Sequence, residues 1–253
     1  MTDDFVSLKV MIAAADAEER VLIRRGVSSA PIPVLISEVD AAHDEVAACQ
    51  QLAEDAHDVV LFDSRMHAGG QDALLDTIRE TPGSPLAIAV GEPAARVARR
   101  CDALIARPIE QPKVAAVIGD CVAVRLLKRV LIVDDSAAVR AVINRVLNGS
   151  RFRIEAEEAD GYSGAVEKVK ERDFDIVILD CHMSGKDGFE TLAALKTIRH
   201  GAKILMIAEA RDPGMEARAR GEGAGDFLYK PFFAKDIDAA FSRLLSLSRL
   251  RWS

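Results

Sequence analysis

Four consecutive apolar residues, Ile176 to Leu179, are followed at once by a carboxylate, Asp180, and preceded by the charged Asp173 and Asp175. An unbroken run this short predicts a strand covered on both faces, because a half-exposed strand would alternate apolar with polar residues. Strands covered on both faces belong to parallel sheets flanked by helices, and such sheets leave their C-terminal edge open to ligands. Asp180 is therefore predicted to stand at the edge where a ligand can reach it.

A second apolar run lies within Arg129-Val-Leu-Ile-Val-Asp-Asp135 and also ends on acids, with Ser136 placed to cap the helix that follows. If the two strands are neighbours, Asp134, Asp135 and Asp180 meet at one sheet edge. Like charges that close cannot all ionise cheaply, so the cluster either holds a raised pKa or carries a hard cation. A third run, Phe227-Leu-Tyr-Lys-Pro231, ends on an ammonium. Taken singly, these residues have ordinary readings: a helix cap, a solvated acid pair, a surface charge. In this order, on successive strands of one α/β unit, they supply a nucleophile, a cation site and a fixed positive charge.

The order acid pair, single acid, lysine-proline resembles the receiver domain of two-component response regulators. The resemblance implies that Asp180 accepts a phosphoryl group from a histidine kinase or histidine phosphotransferase. It also implies one Mg²⁺ ion, held by Asp135 directly, by Asp134 through water, by Asp180 and by the backbone carbonyl of His182, with Lys230 contacting the phosphoryl oxygens. The spacing agrees, with 180 − 135 = 45 residues between acids, and Met183, Gly185 and Asp187-Gly188-Phe189 fall where the family's loop lies. Phosphoryl transfer needs mainly in-line positioning and charge neutralisation, for which a carboxylate, a cation and a lysine form nearly a sufficient set.

One part of the pattern is missing. The family carries Thr or Ser at the end of the fourth strand, and its hydroxyl lets an aromatic on the fifth strand turn inward. Counting back from the lysine, 230 − 22 = 208, the position holds Ala208. The aromatic is present as Phe227, which a plain core ring would equally explain. The resemblance with this departure implies that phosphorylation is retained while its coupling to the surface is weakened or rerouted. The position of His182, two residues beyond Asp180, is one that tunes attack by water in the family; an exposed loop side chain is the plainer reading.

The first half of the chain repeats the second. Lys9-Val-Met-Ile-Ala-Ala-Ala15 lies over Arg129 to Asp135, His57-Asp-Val-Val-Leu-Phe-Asp63 over Phe174 to Asp180, and Asp72 to Arg79 over Glu190 to Arg199. The chemistry has changed between copies: the acid pair is Ala14-Ala15, and the lysine-proline is Arg107-Pro108. Asp63 survives, but without metal ligands or lysine a phosphoryl group there would lack charge stabilisation. Its carboxylate either pairs with Arg107 across the strand ends, a geometry arginine favours, or is a solvated strand-end acid. Gly91 stands at the Thr or Ser position, and the segment to Cys101 leaves room for only a turn or two of a fourth helix.

The fold class expected is α/β: two tandem doubly wound five-stranded parallel sheets, the CheY-like, flavodoxin-like receiver fold. Residues 1–124 form a degenerate pseudo-receiver domain and residues 125–253 the phosphoacceptor receiver domain. In the second copy the strands are expected at Val130 to Val133, Arg153 to Ala156, Ile176 to Leu179, Ile204 to Ile207 and Phe227 to Tyr229. A helix from Gly164 to Arg172 and a left-handed helix stop at Asn148-Gly149 are also expected.

A formal charge of −7 over 253 residues argues against nucleic-acid binding. The four cysteines, Cys49, Cys101, Cys121 and Cys181, lack zinc or disulfide spacing and suit a reducing compartment. Met1-Thr-Asp-Asp4 does not resemble a signal peptide and no apolar run is long enough for a membrane, so the expected place is the cytoplasm. Beyond the last helix comes only a short basic tail with Trp252, expected to fray unless a partner takes the ring. No segment remains for a DNA-binding or enzymatic output domain, so output is expected by contact with an unknown target protein, with a homodimer as a further option. The chain is then a phosphorylation-dependent contact switch, a sink or relay that drains phosphoryl groups from a kinase, or a structural adaptor that is never phosphorylated. In none of these is it an enzyme beyond self-catalysed transfer to, and hydrolysis from, Asp180.

Overall fold

The computed structural model describes residues 7–31, 35–198, 201–209 and 213–251. The chain divides into two compact units, Met1–Leu126 with Leu247–Ser253, and Leu127–Ser246. The division falls two residues beyond the 124/125 boundary expected from the sequence, and Leu247 onward groups with the first unit instead of closing the second.

In the first unit β1 (Ser7–Ala13), β2 (Leu35–Ala42), β3 (Val59–Asp63), β4 (Leu86–Val90) and β5 (Ala103–Ile105) alternate with helices. These are α1 (Ala17–Ser28), α2 (Glu45–Glu54), α3 (Ala68–Glu80), α4 (Ala95–Ala98) and α5 (Gln111–Arg125). The sheet is parallel in the order β2-β1-β3-β4-β5. Caps follow the sequence: Asp16 accepts from the Glu18 and Glu19 N–H groups and Asp44 from that of Ala47. The shortened segment after β4 holds a single-turn α4, tied to α3 by Arg96 and Arg100 on Asp72 and by Arg100 on Asp76. Residues 247–251 also pack here: Leu247 and Leu250 are buried, the Arg249 N–H donates to Asp120 at 3.1 Å, and the Arg251 N–H donates to the Asp102 carbonyl. Trp252 and Met1 to Asp4 lie outside the described residues.

The second unit repeats the plan with β6 (Lys128–Val133), β7 (Ile154–Ala159), β8 (Ile176–Asp180), β9 (Lys203–Ala208) and β10 (Asp226–Tyr229). Its helices are α6 (Ala137–Leu147), α7 (Tyr162–Glu171), α8 (Gly188–Ile198), α9 (Pro213–Gly221) and α10 (Ala234–Leu244). The order is β10-β9-β8-β6-β7, again all parallel. Every residue of β8 is buried, as its unbroken apolar run requires. Side chains of β6, β8 and β9 such as Val133, Leu179 and Met206 join Phe189 and Leu192 of α8 in one core cluster. The four cysteines are free thiols, and among the described residues no helix is long and apolar enough to cross a membrane.

Three local expectations are corrected. The second strand runs to Ala159, not Ala156, and α7 starts at Tyr162, not Gly164. The reason is that β7 is an edge strand, where Glu155, Glu157 and Glu158 stay partly solvated and pair with Arg129, Arg172, Lys168 and Arg140. Its acids broke the apolar pattern without breaking the strand. Helix α6 does not end on a left-handed residue: Asn148 keeps φ −64°, and the Ser150 hydroxyl and the Arg151 N–H are held by the Asp238 carboxylate instead.

Candidate functional site

Strand register brings the predicted residues to one edge. Val133 of β6 pairs with Leu179 of β8, so the next residues, Asp134 and Asp180, stand side by side at the strand tips. Tyr229 of β10 pairs with Ala208 of β9, which sets Lys230 at the same edge. In the order β10-β9-β8-β6-β7 the connections leave β6 and β8 in opposite directions, which opens a crevice between their C-terminal ends. The chain order of the motif is thereby turned into a cluster.

Within it, Lys230 is shared between two buried acids. Its Nζ lies 3.2 Å from Asp134 Oδ2 and 3.2 Å from Asp180 Oδ1, and the acids are 2% and 5% exposed. Asp134 Oδ1 also accepts the Ser136 N–H at 2.9 Å, and its carbonyl accepts from Arg140 at 2.8 Å. Burial pushes the Asp180 carboxyl above the usual range; Lys230 opposes the rise and the nearby Asp134 adds to it. For Lys230, burial works downward, but the Asp180 and Asp134 carboxylates together outweigh it and hold the ammonium above its ordinary value.

Asp135 behaves differently. It is exposed, and its Oδ2 accepts from both the N–H and the hydroxyl of Ser184, each at 2.6 Å. The Ser184 hydroxyl and N–H hold this carboxyl below its ordinary pKa. Among the described residues no three His, Cys, Asp or Glu side chains gather closely enough to hold a metal ion. At this edge Asp134 and Asp180 share Lys230, while Asp135 is held by Ser184. The donor set itself, three carboxylates and a loop carbonyl, is all oxygen and suits a hard cation such as Mg²⁺.

The loop after β8 is folded tightly against the site. The Gly188 N–H donates to the Cys181 carbonyl at 3.1 Å, and a Cβ at Gly188 would lie 2.1 Å from the Asp180 carbonyl oxygen, so no larger residue fits. His182 is exposed in this loop. Cys181 is buried, and burial with the Asp180 charge beside it pushes its thiol up to about 12, which keeps it unreactive. Ala208 is fully buried and Phe227 is 5% exposed, both in the same core cluster. Phe227 packs edge-on against Tyr229 at 4.9 Å between ring centroids.

In the first unit the equivalent edge is closed by ion pairs. Ala14 is buried and Ala15 exposed, and neither carries a donor for a cation. Asp63 accepts from the Arg65 N–H at 2.8 Å, from Arg65 Nη2 at 2.7 Å and from Arg107 Nη2 at 2.8 Å. Glu19 of α1 in turn accepts from Arg107 Nε and Nη2 at 3.2 and 2.9 Å and from Arg65 Nη2 at 2.6 Å. Burial works to raise the Asp63 pKa, but the Arg65 and Arg107 donors outweigh it and hold the carboxyl low. Gly91 makes this possible: its φ is +106°, and a Cβ there would lie 2.0 Å from Arg107 Nη1. Of the two readings of Asp63, the ion pair is the one present, and the bidentate face of Arg107 goes to Glu19. Sequence reasoning missed Arg65, Glu19 and Ser184. Arg65 sits at the position of His182 in the repeat and Ser184 two residues beyond it, and Glu19 aligns with Val139, where charge replacing an apolar residue was the available signal.

The family model described as "Response regulator receiver domain" matches residues 130–242. Chemotaxis protein CheY of Bacillus subtilis is 37% identical over 118 residues, covering 47% of this chain and 98% of that protein. Chemotaxis protein CheY of Thermotoga maritima is 32% identical over 117 residues, 46% of this chain and 97% of its own length. The solved structure of a probable two-component system response regulator/GGDEF domain protein covers 95% of this chain and 99% of that one at 17% identity, with a TM-score of 0.58. At that identity it bears on the fold alone, and it does so across both units.

Proposed function

The chain belongs to the response regulator receiver family, and on that premise we propose that its second unit accepts a phosphoryl group on Asp180 from a histidine kinase or histidine phosphotransferase and signals by contact with a target protein. The first unit, in this reading, is a pseudo-receiver that accepts none. The observation that carries the proposal is the Lys230 ammonium poised 3.2 Å from Asp180 Oδ1 at the open edge of the sheet.

A carboxylate oxygen of Asp180 attacks phosphorus, the P–N bond to the donor imidazole breaks, and the electron pair leaves with the imidazole nitrogen. Lys230 balances the charge that collects on the phosphoryl oxygens, and the buried walls around Asp134 and Asp180 strengthen that attraction. Asp134, Asp135, Asp180 and the His182 carbonyl would hold the Mg²⁺, which supplies further charge neutralisation when bound. In the first unit two guanidiniums and two carboxylates already cancel, which leaves Asp63 neither free nor supported by a displaceable lysine.

The donor must bring its imidazole to this edge, and the lip beside Lys230 offers a seat. Val139, Val142 and Val146 of α6 with Pro231 and Phe232 line an apolar groove next to Lys230, and Val142 is 58% exposed. In the first unit Glu19 replaces the residue equivalent to Val139. Mg²⁺ with acetyl phosphate or beryllium fluoride tests the proposal: the wild type responds, and Asp180→Asn does not. A pull-down with beryllium-treated protein against Asp180→Asn identifies the target.

The phosphate sink is a second reading, favoured by Ala208. With a methyl at the position where the family carries a hydroxyl, and Phe227 already packed inward, phosphorylation has less to move. A phosphoryl lifetime of seconds in a kinase mixture, with no partner retained by the modified form, selects the sink; a long lifetime with a retained partner selects the switch.

A further inference from the structure

All three acids of the second unit's edge are satisfied by the protein's own donors. Lys230 takes Asp134 and Asp180, and Ser184 takes Asp135 through two bonds to a single oxygen. Two donors at 2.6 Å occupy both lone pairs of that oxygen. Because no three of these acids stand close enough together to hold an ion among the described residues, an ion that draws Asp135 toward the other two pulls its Oδ2 away from the Ser184 donors.

Ser184 is also set in a loop with fixed ends. On one side Gly188 and Cys181 close the turn at 3.1 Å. On the other, Asp187 and Glu190 cap one another: the Asp187 N–H donates to Glu190 Oε2 at 3.2 Å, and the Glu190 N–H to Asp187 Oδ1 at 2.9 Å. Gly185 turns the chain with φ +84°, and the Lys186 ammonium rests 3.8 Å from the centroid of the Tyr162 ring on α7. A displacement of Ser184 is therefore taken up by the few residues between these anchors.

We infer that Ser184 is a positioning residue that competes with the cation for Asp135, so that Mg²⁺ uptake and release of the 181–187 loop are one equilibrium. The inference rests on the cation site of the proposed function. It gives the loop a response to Mg²⁺ before any phosphoryl group arrives, through donors that belong to Ser184 and not to the phosphoacceptor.

The test uses the full chain without phosphodonor. Mg²⁺ is titrated into wild type, Ser184→Ala and Ser184→Thr by calorimetry, and the Ser184 amide is followed by NMR in the wild type. Removing the hydroxyl takes away one of the two competing bonds, so Ser184→Ala should bind Mg²⁺ about two- to tenfold more tightly. Ser184→Thr keeps a hydroxyl and should stay near the wild type, and the wild-type Ser184 amide proton should move upfield as Mg²⁺ is added. Equal or weaker binding by a folded Ser184→Ala protein, or an unmoved Ser184 amide in a protein that binds Mg²⁺, overturns the inference and leaves the cation site standing. No Mg²⁺ binding by any of the three overturns both.

Discussion

Lys230 meets Asp180 at 3.2 Å with an ammonium that it also shares, at the same distance, with Asp134. Charge-assisted bonds of this kind are commonly about 2.7–2.9 Å, so the shared lysine is held loosely by each acid. Arg107 in the first unit reaches Asp63 at 2.8 Å and Glu19 at 2.9 Å, and Arg65 backs it on both acids. A point charge on a flexible stem can be displaced from one partner at a time; a planar fork pinned by four hydrogen bonds cannot. The two copies of one fold thus differ in whether their strand-tip acid can exchange partners.

Asp180→Asn should stabilise the second unit by about 0.5–2 kcal/mol in urea unfolding, the usual gain when a site strained for function is relieved. The sign follows from burial, which raises the folded-state pKa of Asp180. A raised carboxyl favours the folded state fully below the unfolded value of about 3.9 and loses that advantage as pH rises through the folded value. The gain from the amide should therefore be largest near neutral pH and vanish in acid.

The first unit should show the opposite dependence. Arg65 and Arg107 hold Asp63 low against burial, so its contribution is present above about pH 3.9 and is lost as pH falls through the depressed folded value. Asp63→Asn should cost about 1.5–3 kcal/mol near neutral pH, read from urea unfolding followed at amides of the first unit, and leave labelling of Asp180 untouched.

Much of this was legible in the sequence because it rested on backbone pattern. The unbroken run Ile176 to Leu179 fixed β8 as a buried parallel strand, and the acids and the lysine at strand ends fell to one edge once the strand order was known. What escaped was set by side-chain reach. Arg65 closes onto an acid two positions back and Glu19 onto residues far away in sequence, and neither leaves a periodic trace. Ser184 carries no signature in the sequence, since its role depends on a turn that returns it to Asp135. The end of the edge strand β7 is hidden in the sequence because solvated glutamates imitate a loop.

Ala208→Thr should destabilise the second unit by about 1–3 kcal/mol, because a larger polar side chain is forced into a fully buried position. It should also restore the hydroxyl of the receiver pattern. Beryllium fluoride is then expected to shift the Phe227 ring signals more in Ala208→Thr than in the wild type, measured by NMR of labelled phenylalanine.

Val142→Lys should separate docking from chemistry. Val142 is largely exposed on α6, so stability should change by no more than about 0.5 kcal/mol. Transfer from a phosphohistidine donor should fall at least about tenfold, the equivalent of 1.4 kcal/mol of lost docking, while labelling by acetyl phosphate continues at the wild-type rate.

The central claim is that only the acid beside the displaceable lysine takes phosphorus. Borohydride trapping after acetyl phosphate and Mg²⁺ treatment, followed by peptide mass spectrometry of the full chain, tests it most directly. The account predicts reduction of Asp180 to homoserine with Asp63 unmodified, and loss of the signal in Asp180→Asn. Homoserine at position 63, or an unmodified Asp180 in protein that has taken up label, would contradict it.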